Sequence, residues 1–259
     1  MTIKISLAQT NIAIGNPEKN LKKGLLLIDQ ASNEGCELIL LPELWTTGYD
    51  LTNINSYSQT NDSILNELKF VAKNKQISIG GSYIFRIENR FYNSFIIINA
   101  EGEICPIYNK LHLIKLFSED LYFTAGDQIQ ANTFQWGNAG LAICYDLRFP
   151  EMFRLMALKP VEIFLLVAEW PVKRIEHWRI LLQARAIENQ VFMAAVNCVG
   201  SQRGEPFGGS SCLISPTGQI LAQADQNQEK LLISEIDFDT INESRKTMDL
   251  LKDRRFDIY

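Results

Sequence analysis

The stretch GLAICYDLRFPE at residues 140–151 decides how the chain is read. Leu141, Ala142 and Ile143 form the end of a buried apolar strand, and Cys144 stands where that run stops, followed at once by Tyr145 and Asp146. Pro150 suits the first turn of a helix, where its missing N–H would have had no partner, and Glu151 beside it favours the positive helix end. A thiol between a strand end and a helix start lies near free backbone N–H groups, which would lower its pKa and are placed to hold an oxyanion. The same pattern also describes a structural cysteine, because free cysteine is among the most buried residue types.

Outward from this stretch, strand-like and helix-like segments alternate. Residues 3–8 form a short apolar strand; Asn16, Pro17 and Glu18 cap and open a helix to residue 32, with Leu21, Leu25 and Ile28 on one face. Residues 38–41 are continuously apolar and end at Pro42 and Glu43, which fits an interior strand covered on both faces. A helix over 60–73, strands over 77–84 and 91–98, and a turn at Glu101 and Gly102 lead to Tyr108, Asn109 and Lys110. Residues 111–126 have no clean period and read as a long excursion with one short helix, a kind of segment that is often functional. Beyond the helix from Pro150 come an apolar strand over 163–168, a helix over 175–190, strands over 191–199, 211–214 and 231–238, and a closing helix over 239–245. The tail, 252–259, is charged with two aromatics and is free to dangle or to cross to a neighbouring subunit.

The chain rhymes with itself. ELILLPELW at 37–45 and EIFLLVAEW at 162–170 each follow a strand and a helix, which suggests two related αβ halves with Glu43 and Glu169 leaving their strands at corresponding places. The expectation is a layered α/β architecture in a single domain over residues 1–259. GNAG at 137–140 matches no phosphate-binding pattern, and Gly208, Gly209 and Ser210 read as a sharp loop able to form one wall of a pocket.

Composition narrows the function. A formal net charge of -5, from 25 basic and 30 acidic residues, offers no electrostatic footprint for nucleic acid or an anionic membrane. No apolar run reaches transmembrane length, and MTIKISLAQT reads as a first strand, not a signal peptide. Cysteines 36, 105, 144, 198 and 212 form no CxxC pair or disulfide framework, which points to a reducing cytoplasm. His112 and His177 are far apart and have no clustered cysteines, an unsuitable set for zinc.

Glu43, Lys110 and Cys144 each stand at the end of a strand, where α/β sheets bind ligands. Each has a plainer reading: Glu43 as a cap of a neighbouring helix, Lys110 as a solvated surface lysine, Cys144 as core. At these three residues the sequence resembles the carbon-nitrogen hydrolase family, or nitrilase superfamily, whose sites carry a Glu-Lys-Cys triad. LLPELW is similar to the family's glutamate motif at Glu43, YNKLHL to its lysine motif at Lys110, and GLAICYDLRFPE to its cysteine motif at Cys144. SEDLYFTAG after the lysine, AEWP at 168–171, HWRILLQARAIENQ at 177–190 and the later GGSS resemble the omega-amidase branch, whose members hydrolyse the terminal amide of 2-oxo acids.

The resemblance implies a nitrilase-like four-layer α-β-β-α sandwich with two pseudo-symmetric halves, each supplying one sheet, and commonly a homodimer. It also implies that Glu119 is a second acid orienting Lys110 and the attacking water. The chemistry is coherent on its own terms: a primary amide is a poor electrophile with a poor leaving group, so a nucleophile and a proton shuttle are needed. Glu43 would take the Cys144 proton, the thiolate would attack, and Lys110 with the N–H of Tyr145 would hold the oxyanion. Lys110 supplies the positive charge a metal would otherwise bring, and no cofactor is expected. The expected substrate is 2-oxoglutaramate or 2-oxosuccinamate. Its carboxylate would take a cation from Arg148, Arg174 or Lys173, although Arg148 reads rather better as a pin for the loop after the nucleophile. Glu169 belongs with the substrate-binding group, and Trp45, Tyr49, Phe117, Trp170 and Phe207 are candidates to wall a narrow pocket, each also suited to core. His112 reads as structural near the lysine strand, and His177 as lying on the helix behind Trp170. Rival readings are a nitrile, an N-carbamoyl compound or deaminated glutathione as substrate, a non-catalytic binding module, and a Cys-His hydrolase.

Overall fold

Residues 1–258 are described by the computed structural model of the protein. The first half runs β1 (Thr2–Gln9), α1 (Pro17–Asn33), β2 (Leu38–Leu40), α2 (Ile54–Lys75), β3 (Ser78–Ile87), β4 (Arg90–Ile98) and β5 (Tyr108–Asn109). A short helix, α3 (Glu119–Tyr122), precedes β6 (Ala131–Phe134), β7 (Gly137–Ile143), α4 (Pro150–Ala157), β8 (Ile163–Ala168), α5 (Ile175–Asn189) and β9 (Phe192–Asn197). The hairpin β10 (Val199–Gln202) and β11 (Glu205–Gly208) is followed by β12 (Cys212–Ile214), β13 (Ile220–Gln223), β14 (Lys230–Asp237) and α6 (Asp239–Thr247).

Two six-stranded sheets result, ordered β14-β1-β2-β3-β4-β5 and β13-β12-β9-β8-β7-β6. In each, three parallel strands lie between one antiparallel strand on one side and two on the other. The halves therefore repeat, and β2 and β8, which lead to Glu43 and Glu169, occupy matching positions. One expectation is corrected: the halves do not each supply a whole sheet, because β14 crosses to the first sheet and pairs with β1 from Thr2↔Asp237 to Gln9↔Lys230. Pairing of this kind protects an edge that would otherwise present unpaired N–H and C=O groups.

The two-residue period of a strand sorts the side chains into layers. Ile5 and Leu7, Leu38 and Leu40, and Phe95 and Ile97 face the second sheet and share one core with Leu141, Leu165 and Ala194. Ile39, Leu41, Ile96 and Ile98 face the other way, onto Ile28 and Ala31 of α1 and Ile64, Leu68 and Ala72 of α2. Because α4 and α5 cover the far side of the second sheet with Phe153, Met156, Trp178 and Leu182, the order of layers is α-β-β-α.

Local signals act where expected. The Asn16 side chain accepts the Lys19 N–H at 3.0 Å, and Pro17 opens α1. Helix α2 starts six residues before the apolar period does, because its polar first turns gain tertiary partners: the Tyr57 hydroxyl donates to Asp50 at 2.6 Å. The glycine loop after β11 is buried instead of forming a pocket wall. A Cβ at Gly209 (φ 48°) would lie 2.7 Å from the carbonyl oxygens of Asp225 and Gln226, and the Ser211 hydroxyl donates to Gln9 at 2.9 Å. In the tail, Phe256 and Ile258 are exposed, and Tyr259 lies outside the described residues.

Candidate active site

Strand ends from both sheets converge on one buried cluster. Glu43 leaves the loop after β2, Lys110 follows β5, Glu119 opens α3, Cys144 follows β7 and Glu169 follows β8; all five are buried. Lys110 Nζ donates to Oε1 of Glu43 and to Oε1 of Glu119, both at 2.8 Å. The Tyr49 hydroxyl lies 2.8 Å from Glu43 Oε1 and 2.9 Å from Glu119 Oε1. Asn93, from the middle of β4, donates to the same two oxygens at 2.8 and 3.3 Å. The second oxygen of Glu119 takes the Ile114 N–H at 2.7 Å, which fixes the excursion, while Asp120 points to solvent.

Cys144 has a φ of 45°, a left-handed conformation costly for a residue with a Cβ and typical of functional turns. It begins a short 3-10 turn, Cys144–Arg148, which separates β7 from α4, so the thiol does not stand directly at the start of the Pro150 helix. The Tyr145 N–H falls in the first positions of that turn and has no partner within it, which leaves it available to an oxyanion. The Sγ contacts the Glu169 carbonyl at 3.9 Å, and the Glu43 carboxylate is close enough for its charge to act on the thiol.

Electrostatics correct one expectation. The free N–H groups do not bring the thiol pKa down: burial, followed by the charge of Glu43, pushes it well above the usual cysteine value, outweighing the opposing pull of Lys110. The thiol therefore needs an adjacent base to lose its proton. Burial also works against the Lys110 ammonium, but Glu119 and Glu43 overcome it and hold lysine above its ordinary pKa. Burial raises Glu119 against the pull of Lys110, and burial together with Glu43 raises Glu169 well above the carboxylate range.

The turn is held from beneath. Asp146 accepts the Tyr108 hydroxyl at 2.6 Å and the Ile143 N–H at 2.9 Å on one oxygen, and the His112 N–H at 3.1 Å on the other. His112 is structural: its Nδ1 lies 2.8 Å from Asp146 and its ring stacks on Phe149. Arg185, not Arg148, pins the loop after Cys144, with Nε and Nη2 donating to the Leu147 carbonyl at 3.2 and 3.0 Å. His177 is on α5 and contacts Arg148 Nη1 at 3.3 Å.

Two cavities flank Leu116, one reaching Tyr145 next to Cys144 and the other Tyr49, which meets Glu43 and Glu119. One, of about 630 Å³, is lined by Tyr145, Arg148, Arg174, His177 and Lys115. Arg148 lies over the Trp170 ring, 4.8 Å from its centre, and neither Arg148 nor Arg174 has a carboxylate partner among the described residues. The other, of about 330 Å³, is lined by Tyr49, Phe117, Phe207, Gln202 and Arg203. Trp170 is buried beneath Arg148 and lines neither cavity; its indole donates to the Arg174 carbonyl at 2.7 Å. Lys173 lies outside both, paired with Glu205 at 3.1 Å at the surface. Trp45 belongs to the outer core, edge-on to Tyr83 and so close to α1 that a Cβ at Gly24 would lie 2.6 Å from its ring. Glu169 is near the thiol but fully buried behind it.

The carbon-nitrogen hydrolase family model matches residues 4–246. The chain belongs to the carbon-nitrogen hydrolase family. This hydrolase is 38% identical over 257 residues to a 2-oxoglutaramate amidase of Bacillus subtilis (strain 168), covering 98% of each chain. Its fold is similar to a carbon-nitrogen hydrolase from Helicobacter pylori G27, with TM-score 0.94, 26% identity and coverage of 100% of this chain and 97% of the other. It is also similar (TM-score 0.88, 26% identity, 99% and 95% coverage) to a glutamate-to-glutamine mutant of the amidase from Nesterenkonia sp. AN1, which carries the acetamide moiety of fluoroacetamide covalently on its active-site cysteine.

Proposed function

We propose that this carbon-nitrogen hydrolase is an amidase that cleaves the terminal amide of a small 2-oxo acid, 2-oxoglutaramate or 2-oxosuccinamate, through a thioester on Cys144. The observation that carries this reading is one arrangement: a buried cluster of Glu43, Lys110 and Cys144, next to which Tyr145 lines a cavity holding two arginines with no carboxylate partner among the described residues. The likeness to the Bacillus subtilis 2-oxoglutaramate amidase supports the substrate class. The covalent adduct on the Nesterenkonia cysteine supports the role of the thiol.

Glu43 takes the Cys144 proton and the sulfur attacks the amide carbon, with the oxyanion held by Lys110 and the Tyr145 N–H. Glu43 then gives its proton to the departing ammonia. A water deprotonated by Glu43 attacks the thioester, releasing the acid and returning the proton to the sulfur. Glu119 shares Lys110 with Glu43 and so fixes where the ammonium points. Arg148 and Arg174 hold the substrate carboxylate, with Tyr49, Phe117 and Phe207 near the mouth.

The deciding experiment is ammonia release across 2-oxoglutaramate, 2-oxosuccinamate, glutamine and a simple nitrile. Preference for the two oxo acids supports the proposal, and turnover of glutamine or nitrile alone overturns it. The working form is a homodimer in the cytoplasm, a compartment suited to five unpaired cysteines. Light scattering at micromolar protein tests the dimer, and truncation after Lys252 tests whether the tail takes part.

A further inference from the structure

The two oxygens of Glu43 are not equivalent. Oε1 faces three neighbouring donors, Tyr49, Asn93 and Lys110, each at 2.8 Å. Oε2 receives one hydrogen bond, from the Glu169 main-chain N–H at 2.9 Å. A carboxylate oxygen has two lone pairs, so Oε2 retains one with which to take a proton. The Glu169 carbonyl meanwhile contacts the Cys144 Sγ at 3.9 Å. The main chain of one residue therefore addresses both the proton donor and its acceptor.

The Glu169 side chain is tied down from the mouth. Gln202, at the end of β10, donates through Nε2 to Glu169 Oε2 at 2.8 Å and accepts the Tyr49 N–H at 3.2 Å. Gln202 is packed against Gly48, where a Cβ would lie 2.5 Å from its Oε1. Glu169 Oε1 has no hydrogen-bond partner among the described residues and no access to solvent. Glu169 lines neither cavity.

We propose that Glu169 is a positioning residue: tethered by Gln202, it orients its own backbone so that Oε2 of Glu43 faces the Cys144 thiol. The β10–β11 hairpin, which walls the 330 Å³ cavity, is thereby linked to nucleophile activation. This rests on the thioester reading for which groups react, but not on which amide is hydrolysed. The acid faces Glu43, Lys110 and Glu119, and burial with Glu43 favours its neutral form, so the tether needs an acceptor oxygen and not a charge.

The test is the second-order rate of Cys144 alkylation by iodoacetamide as a function of pH, which requires no knowledge of the natural substrate. Each variant is first checked for native circular dichroism. E169A and Q202A should each slow alkylation at neutral pH by about tenfold or more, because small displacements of reacting groups are costly, and should move the profile to higher pH. E169A/Q202A should be no slower than the worse single variant, since both remove one tether. E169Q, which keeps the acceptor oxygen, should restore the rate to within about threefold of wild type. Wild-type rates in E169A, fully additive losses in the double variant, or an E169Q as slow as E169A would each overturn the proposal. If Q202A folds and E169A does not, the Q202A rate and pH profile alone decide it. Failure of the oxo-acid assay with these alkylation results intact would refute the substrate and leave the positioning role standing.

Discussion

The Tyr108 hydroxyl donates to Oδ2 of Asp146 at 2.6 Å, tying the segment that ends in Lys110 to the turn that begins at Cys144. Two chain segments from different sheets thus share one buried carboxylate. Y108F removes a hydrogen bond to this group while the Ile143 N–H still satisfies the same oxygen, so it should cost about 1–3 kcal/mol. Urea unfolding measures that loss, and kcat should fall with it. An unchanged midpoint and kcat would mean that the tie is dispensable.

Labelling tests the nucleophile. Burial raises the Cys36, Cys198 and Cys212 thiols, the last to about 12, and none of them stands between Glu43 and Lys110 as Cys144 does. Stoichiometric iodoacetamide should therefore modify Cys144 first, with half-buried Cys105 as the main competitor. C144A should keep its fold and lose turnover, and E43Q should suppress labelling at neutral pH. Equal modification of all five cysteines, read by peptide mass spectrometry, would contradict this.

Stability should carry the mark of Glu169. Its folded pKa lies above the usual 4.5, so the native state binds a proton that the unfolded chain gives up above that pH. Its contribution is fully present below pH 4.5 and is lost as pH rises toward the folded pKa. E169Q abolishes this loss, so its stability relative to wild type should climb as pH rises from about 4.5 through neutrality. A stability difference that stays flat across that range would mean that Glu169 titrates normally in the fold.

Recognition of the oxo acid should depend on the mouth. R174A and R148A should weaken kcat/KM for 2-oxoglutaramate by about a hundredfold while affecting a neutral short amide far less. Glutamine, which brings an ammonium toward this cationic mouth, should be a worse substrate by about the same factor. Comparable kcat/KM for glutamine and open-chain 2-oxoglutaramate would show that the site reads another feature.

The sequence made some of this legible and hid the rest for physical reasons. Glu43, Lys110 and Cys144 could be found because each breaks an apolar strand with a reactive group, and the repeat of ELILLPELW was visible because both copies need a doubly covered interior strand. Asn93 was missed: it sits inside a strand, and only the antiparallel register brings it opposite the lysine segment. Gln202 was missed because its hairpin reads as polar loop. Arg148 and Arg185 carry the same charge, and their separate roles depend on which carbonyl or ring each reaches in space. The thiol pKa was misjudged because burial and the Glu43 charge arise only when the two sheets close over the site.

The crossing of β14 to the first sheet sets an order of events during synthesis. All strands of the second sheet, including the one that leads to Cys144, precede β14 in the chain, whereas β1 waits for partners more than two hundred residues away. Such distant pairing is slow to form, and until it does one flank of the sheet behind Glu43 remains open to pairing with other chains. A ribosome-bound or prematurely ended chain lacking residues 230–237 would hold the nucleophile strand and a sticky β1 together, and would be expected to aggregate before it could hydrolyse anything.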